Sequence, residues 1–398
     1  MRDVFLTFLR LGLTSFGGPI AHLGYFRREF VERRGWIDER LFTQIVAFCS
    51  ILPGPTSSQV GLLVGLLRGG AAGAFAAWVG FTLPSAVALT IFALALTRFE
   101  TSGLAANAAQ PHWFAGVLGG LGAAAVGIVA QAVASMMKTQ CPDRMTRTIA
   151  AGAAAFTLAL ASGTAWQWLP IAAAALAGAF VPPRTASAPG AGEPVLPIRL
   201  PRWVPVGAGL LFAALVIAAV IAAQVSAAGL LLATLVRAGA LVFGGGHVVL
   251  PLLRSLVANG LISEPNFIAG YGATQAVPGP LFTFAAFLGA ANDSPLHGLA
   301  GAAVATVLIF VPSFLLVFAL LPGLNALRSN PAAAGALRGA NAGVVGVLGA
   351  VLYSPLIVGL GSSLPLLTIA LAAFTLVTVW HTPPWIVVGL AVAAGALT

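Results

Sequence analysis

Apolar residues run in long blocks along nearly the whole chain, and polar residues gather in the short gaps between them. A block of about 20 apolar residues is long enough to cross a bilayer as a helix. The pattern predicts crossings over residues 4–26, 71–97, 113–137, 148–164, 165–181, 206–223, 229–253, 298–321, 341–359, 363–380 and 383–398. Two further apolar blocks, 41–67 and 267–291, are interrupted by Pro53-Gly54-Pro55 and Pro278-Gly279-Pro280. Each half of such a block is too short to span, so both are expected as hairpins or broken helices. Non-helical backbone survives at membrane depth only inside protein or beside a water-filled cavity. Residues 182–205 hold seven prolines together with Arg184, Glu193, Arg199 and Arg202, and read as a surface linker.

The blocks repeat. Leu9 to Gly18 and Val236 to Gly245 share the frame Arg-x-Gly-x-x-x-Phe-Gly-Gly. Further on, Arg27 falls on Arg254, Glu39 on Glu264, Pro53-Gly54-Pro55 on Pro278-Gly279-Pro280 and Pro84-Ser85 on Pro312-Ser313. The chain is therefore expected to hold an N-terminal membrane repeat (1–181), the linker (182–205) and a C-terminal membrane repeat (206–398). Loop 27–40 carries Arg27, Arg28, Arg33, Arg34 and Arg40, while its counterpart 252–265 carries only Arg254. Positively charged loops stay in the cytoplasm, so the two loops belong on opposite faces. Opposite faces imply inverted repeats, a common plan of secondary transporters. The expected fold is an all-α integral membrane protein of about 11–14 segments in two homologous halves, with helices broken at Gly-Gly and Pro-Gly-Pro.

Composition agrees with lipid as the solvent. Of 398 residues 59% are hydrophobic and 7% charged, and mean hydropathy is +0.99. The net charge of +9 sits mainly in short loops, as the positive-inside rule asks. No basic-aromatic pattern and no soluble domain suggest nucleic acid. Cys49 and Cys141 have neither metal-ligand nor disulfide spacing. Asp3 and Arg10 interrupt the first apolar block, so it is not expected to be a cleaved leader.

The candidate chemistry is positive. Arg10 and Arg237 lie inside apolar blocks at the same repeat position, where a charge costs roughly 2.5–3.5 kcal/mol and usually serves function. A bland alternative is that Arg10 snorkels to the head groups. Phe16-Gly17-Gly18 and Phe243-Gly244-Gly245 are expected helix breaks, although paired glycines also serve close helix packing. A break creates a new helix N-terminus, whose free N–H groups attract anions. Pro55-Thr56-Ser57-Ser58-Gln59 reads as a helix start rich in hydroxyl and amide groups, and Pro280 opens its plainer counterpart. His22 and His247 follow the Gly-Gly pairs, as proton carriers or as structural histidines. All ten carboxylates fall in the terminus, loops or linker. A cation carrier would normally need one in a span, so a small inorganic oxyanion is the better cargo. No His-Glu-x-x-His motif, acidic metal motif or phosphate-binding loop is present. An enzyme, a resident metal, an organic cofactor and direct ATP drive are therefore not expected.

These residues resemble the chromate ion transporter family, of its long two-domain type. The resemblance is carried by Phe16-Gly17-Gly18, Gly35-Trp36-Ile37, Leu52-Pro53-Gly54-Pro55-Thr56 with Gln59, and their second copies. It implies proton-motive-force-driven export of chromate across the bacterial inner membrane, chromate resistance, and sulfate as competitor or alternative cargo. It leaves room for a homodimer in the bilayer. An anion channel without coupling remains the second class. The second copy departs from the first, with Gly246 for Pro19, Leu281 for Thr56 and Phe284 for Gln59, so the polar first copy is expected to be the principal site.

Overall fold

The computed structural model describes residues 1–101, 112–160, 168–180, 196, 198, 200–243, 245–323 and 330–397. Most of the expected linker, 182–205, and Gly244 lie outside the described residues. Among the described residues all regular structure is helical. In chain order the helices are α1 (Arg2–Thr14), α2 (Gly18–Arg27), α3 (Glu39–Cys49), α4 (Thr56–Thr101), α5 (His112–Gln140), α6 (Arg144–Ala159), α7 (Leu169–Ala179), α8 (Trp203–Val225) and α9 (Ala227–Leu241). They continue with α10 (Val249–Leu253), α11 (Ser255–Ala258), α12 (Glu264–Ala276), α13 (Phe284–Ala291), α14 (Gly298–Leu320), α15 (Pro331–Val351), α16 (Leu364–Thr378) and α17 (Pro384–Ala396).

Among the described residues five helices are long and apolar enough to cross a membrane: α4, α5, α8, α14 and α15, the last two with their short helical extensions. They correspond to the expected crossings 71–97, 113–137, 206–223, 298–321 and 341–359. None of the other six expected crossings is a single helix of that length among the described residues. Residues 4–26 and 229–253 each break at their glycine motif, into α1 and α2 and into α9 and the short helices that follow. Residues 148–164, 165–181, 363–380 and 383–398 overlap α6, α7, α16 and α17, of 16, 11, 15 and 13 residues, with 161–167, 181 and 398 outside the described residues. At 1.5 Å per residue these reach about 17–24 Å, short of a core about 30 Å thick. Hydropathy registers apolar length but not chain reversal, which is why reversing arms read as crossings.

The polar ends show where the arms return. Arg34 pairs with Asp3 (2.9 Å) and Glu29, and Arg27 pairs with Glu39 (2.8 Å). The guanidinium groups of Arg34 and Arg68 both lie over the Trp36 ring, 5.1 and 5.5 Å from its centroid. So α1–α2 and α3 with the first part of α4 enter and leave by one face. Burial would raise the Glu29 carboxyl pKa, but hydrogen bonds from Arg34 and Arg33 outweigh it and hold the group below its ordinary value. Gly69 and Gly70 then kink α4, with φ of +62° at Gly70, and the rest of the helix crosses to the far face. There Phe99 packs on Phe114 of the returning α5, and Glu100 accepts from Asn266 (3.0 Å). On that far face Arg254 pairs with Glu264 at 3.6 Å, the counterpart of Arg27 with Glu39.

The repeats are inverted. Equivalent helices α4 and α14 run antiparallel, because Trp78 meets Phe310 and Phe314 while Thr90 and Ile91 lie beside Leu299 and Ala302. The halves also interlock. Long helix α5 of the first half packs on α16 and α17 of the second, through Gly116 with Gly395, Gly120 with Ala391 and Gly127 with Ala370. Long helix α15 of the second half packs on α7 and α6 of the first, through Gly335 with Gly178, Gly339 with Ala174 and Gly346 with Ala150. At each of these glycines a Cβ would collide with the partner backbone, the close approach that stands in for hydrophobic driving force inside lipid.

The basic residues divide unequally between the faces. Arg2, Arg27, Arg28, Arg33, Arg34, Arg40, Arg68, Lys138, Arg144, Arg147, Arg202 and Arg338 fall on the face of the first loop, and Arg98 and Arg254 on the other. By the positive-inside rule the first face is expected to be the cytoplasmic one. In a background with Cys49 and Cys141 replaced by alanine, Arg144→Cys is expected to react with an impermeant maleimide only in inside-out vesicles, and Asp293→Cys only in intact spheroplasts. The reverse pattern would overturn this orientation.

Candidate oxyanion site at the crossed helix breaks

Four breaks meet where the halves cross. Helix α1 ends at Ser15, which is extended, and Gly17 and Gly18 (φ +101° and +80°) turn the chain into α2. In the second half Gly245 (φ +139°) opens the turn after α9. In both Pro-Gly-Pro turns the flanking prolines fix φ, so the middle residue makes the reversal, with φ of +119° at Gly54 and +106° at Gly279. The breaks are stapled reciprocally. Gly54 N–H donates to Val242 O (2.6 Å) and Gly279 N–H to Ser15 O (2.9 Å). Val242 and Ser15 are repeat equivalents, as are Gly54 and Gly279, so the two bonds are one interaction seen twice across a pseudo-twofold axis. The contacts behind them match as well. A Cβ on Gly54 would run into Ser313, and one on Gly279 would lie 2.8 Å from Ser85 Oγ.

Beside this crossing lies a cavity of about 380 Å³. The first break lines it through Gly17, Gly18 and Ala21, and the second hairpin through Thr274, Gln275, Val277 and Gly279. His247 follows the second break, Gln131 projects from α5, and His381, Thr382, Pro383 and Pro384 come from the turn between α16 and α17. Helices α2 and α17 therefore both begin at its wall, each with the positive end of its dipole. His247 Nδ1 lies 2.8 Å from Tyr271 Oη. A tyrosine O–H donating to Nδ1 leaves the proton on Nε2, which faces Gly18. Gln275 is 7% exposed and its Nε2 has no partner. A buried amide without a partner costs about 1–3 kcal/mol. The cavity lining contains no carboxylate, so it offers donors and positive dipole ends, the reverse of a cation site.

Some expected site residues meet here and others do not. Gly17, Gly18, His247 and Gly279 line the cavity, and Phe16 packs against Trp385 beside it (6.0 Å). Pro53, Gly54, Pro55, Pro278, Pro280 and Gly245 shape the turns. The polar run of the first hairpin turns inward on its own half. Gln59 Nε2 donates to Pro53 O (2.7 Å), and Ser57 Oγ lies 3.2 Å from His22 Nδ1. Thr56 is half-buried at the start of α4. Phe243 lines a separate apolar cavity of about 250 Å³ with Trp168, the counterpart of the Phe16–Trp385 contact. Arg10 is exposed on α1, and Arg237 is half-buried with Nε donating to Ala233 O (3.4 Å); neither lines the cavity. Sequence reasoning missed Gln131, Gln275, Tyr271 and His381. Gln131 carried a signal, as a lone amide within the apolar stretch 113–137. His381 carried one only with knowledge that α16 and α17 reverse at mid-depth.

Mid-depth helix breaks crossed between inverted repeats define a multi-pass membrane transport protein. Comparison with known proteins narrows this: the profile of the chromate transporter family matches residues 2–179 and 229–396, and the chain belongs to that family. It is 32% identical to the chromate transport protein of Pseudomonas aeruginosa over 87% of the chain and 79% of that protein. It is 28% identical to the chromate transport protein of Cupriavidus metallidurans, over 87% and 80%. The probable chromate transport protein of Synechococcus elongatus is 26% identical over 98% and 93%. No solved structure matches the chain. Helix α8 lies outside both matched regions; crossing once between repeats that each return to their starting face, it is what inverts the second.

Gly279→Ala is expected to lower the thermal midpoint of the purified protein by a few degrees, because alanine adds about 1 kcal/mol of left-handed strain and a clash with Ser85. Adding Ser85→Gly is expected to recover part of the loss. Strictly additive effects in that double-mutant cycle would mean that the two residues do not touch.

Proposed function

We propose that the chain exports chromate across the bacterial inner membrane, driven by the proton-motive force, and so confers chromate resistance. What carries this reading is the carboxylate-free cavity at the crossed breaks, lined by helix N-termini and by His247, Gln131 and Gln275. Such donors suit a tetrahedral dianion. Sulfate has the same shape and charge, and is the second cargo the cavity suits. The electrical part of the force suffices for direction. Moving one charge through about 100 mV is worth roughly 2.3 kcal/mol, so a dianion leaving a negative cytoplasm gains roughly 4–5 kcal/mol.

The roles divide by position. His247 Nε2 and the amides of Gln131 and Gln275 hold the oxyanion, Gly17, Gly18 and Gly279 let the backbone approach it, and His247 is placed to carry a proton through the same cavity. His22, packed on Phe81 and Ser57, supports the first break. Arg10 and Arg237 lie seven and eight residues before Gly17 and Gly245, about 10–12 Å along their helices, and contribute positive potential rather than contacts. Rocking of the interlocked bundles about the staples exposes the cavity to each face in turn. A homodimer is compatible with this scheme and is not required by it.

Labelled chromate accumulation in cells expressing the chain tests the proposal. Expected is lower accumulation than in vector controls, restored by an uncoupler and partly by excess sulfate, with His247→Ala losing at least tenfold of the export rate at normal membrane abundance. Unchanged accumulation with the wild-type chain in the membrane would sink chromate export.

A further inference from the structure

A second polar cavity, of about 390 Å³, opens on the basic face between α5, α15 and the tip of the first hairpin. Its charged group is Arg338, with Asn341 one turn deeper on the same face of α15. Thr139 and Gln140 at the end of α5 form the opposite wall, and Ile51, two residues before Pro53, lies at the floor. Arg338 is ion-paired with Asp143, and the two side chains are 35% and 38% exposed. Asp143 also caps α6, its carboxylate accepting from Thr146 N–H (3.0 Å), and this bond together with the Arg338 pair holds its pKa below the ordinary value. An exposed pair of this kind is worth about 0–1 kcal/mol, so another anion can displace the carboxylate at little cost while the cap remains.

The repeat supplies an internal control. The glycine contacts align Gly116 with Gly335, Gly120 with Gly339 and Gly127 with Gly346, so Arg338 corresponds to Gly119 and Asn341 to Gly122. At those positions on the far face the space is filled by apolar side chains, Leu366 beside Gly119, and Ile268 and Leu360 beside Gly122. The duplicated scaffold thus carries a cationic vestibule on the basic, cytoplasmic face and an apolar plug on the other.

We propose that this vestibule is the cytoplasmic loading site for the oxyanion, with Arg338 as its charged contact and Asp143 as the resident anion that substrate displaces. The proposal rests on the oxyanion reading of the central cavity. Arg338 draws the dianion from the cytoplasm, Asn341 receives it one turn deeper, and the vestibule floor adjoins the turn whose Gly54 is stapled to the second break. Loading from the other face lacks such a step, so the two directions of transport differ in half-saturation.

Initial rates of labelled chromate uptake into inside-out vesicles, whose cytoplasmic face is outward, test this with the full chain. Wild-type vesicles must show saturable uptake; if they do not, the proposed function fails before the vestibule is tested. Given that uptake, Arg338→Gln is expected to raise the half-saturating chromate concentration about tenfold with the maximal rate within about twofold, the loss of one charge-assisted contact. Arg338→Lys is expected to recover part of it. Asp143→Ser keeps a capping oxygen for Thr146 but removes the competing charge, and is expected to lower half-saturation about threefold. Half-saturation unchanged from wild type in Arg338→Gln and Asp143→Ser would overturn the proposal. Should Arg338→Gln fail to reach the membrane, unchanged half-saturation in Arg338→Lys and Asp143→Ser, which retain the charge and the cap, would overturn it equally.

Discussion

Everything at the centre of this protein depends on satisfying backbone polar groups where helices break inside lipid. A helix interrupted at mid-membrane exposes N–H and C=O groups that no water reaches unless the protein admits it. Here each half supplies what the other lacks: Ser15 O and Val242 O, left over at the ends of α1 and α9, accept from the hairpin glycines Gly279 and Gly54 of the opposite repeat. The breaks in one half are therefore stable only in the presence of the other. That mutual dependence accounts for the interlocked packing, in which α5 is sheathed by α16 and α17 and α15 by α6 and α7.

The same arrangement leaves donors over. Two carbonyls are consumed by the staples, while the N-terminal ends of α2 and α17 and the side chains of His247, Gln131 and Gln275 line the cavity. The excess is positive and lies on one side of the pseudo-twofold axis. Duplication set the frame, and divergence made the copies unequal, with Leu281 and Phe284 where the first copy has Thr56 and Gln59. The staples do not need polar side chains, which left each copy free to change.

Much of the fold was legible in the sequence because its strongest signals are backbone signals. Gly-Gly and Pro-Gly-Pro within apolar runs admit few readings at membrane depth, and their recurrence at equivalent positions revealed the duplication; the unequal arginine content of loops 27–40 and 252–265 revealed the inversion. The reversing arms were not legible, since α7, α16 and α17 have the hydropathy of spans and differ only in length, while α6 carries Arg144 and Arg147 only near its start. The site was legible in part. Gly17, Gly18, His247 and Gly279 were named, but the polar run Ser57 to Gln59 drew attention to the first hairpin, whereas Gln59 holds that hairpin's own turn and Ser57 meets His22 on α2. Which polar side chain faces a cavity depends on helix rotation, and rotation in an all-apolar helix leaves no periodic trace.

The central claim is that the cavity between the crossed breaks holds the oxyanion, and binding measures this most directly. Chromate titrated into the purified full chain by calorimetry is expected to bind saturably, and Ala21→Phe, which fills the cavity from α2 without touching either staple, is expected to abolish that binding while the protein keeps its thermal midpoint. Undiminished chromate binding to the folded Ala21→Phe chain would contradict the account.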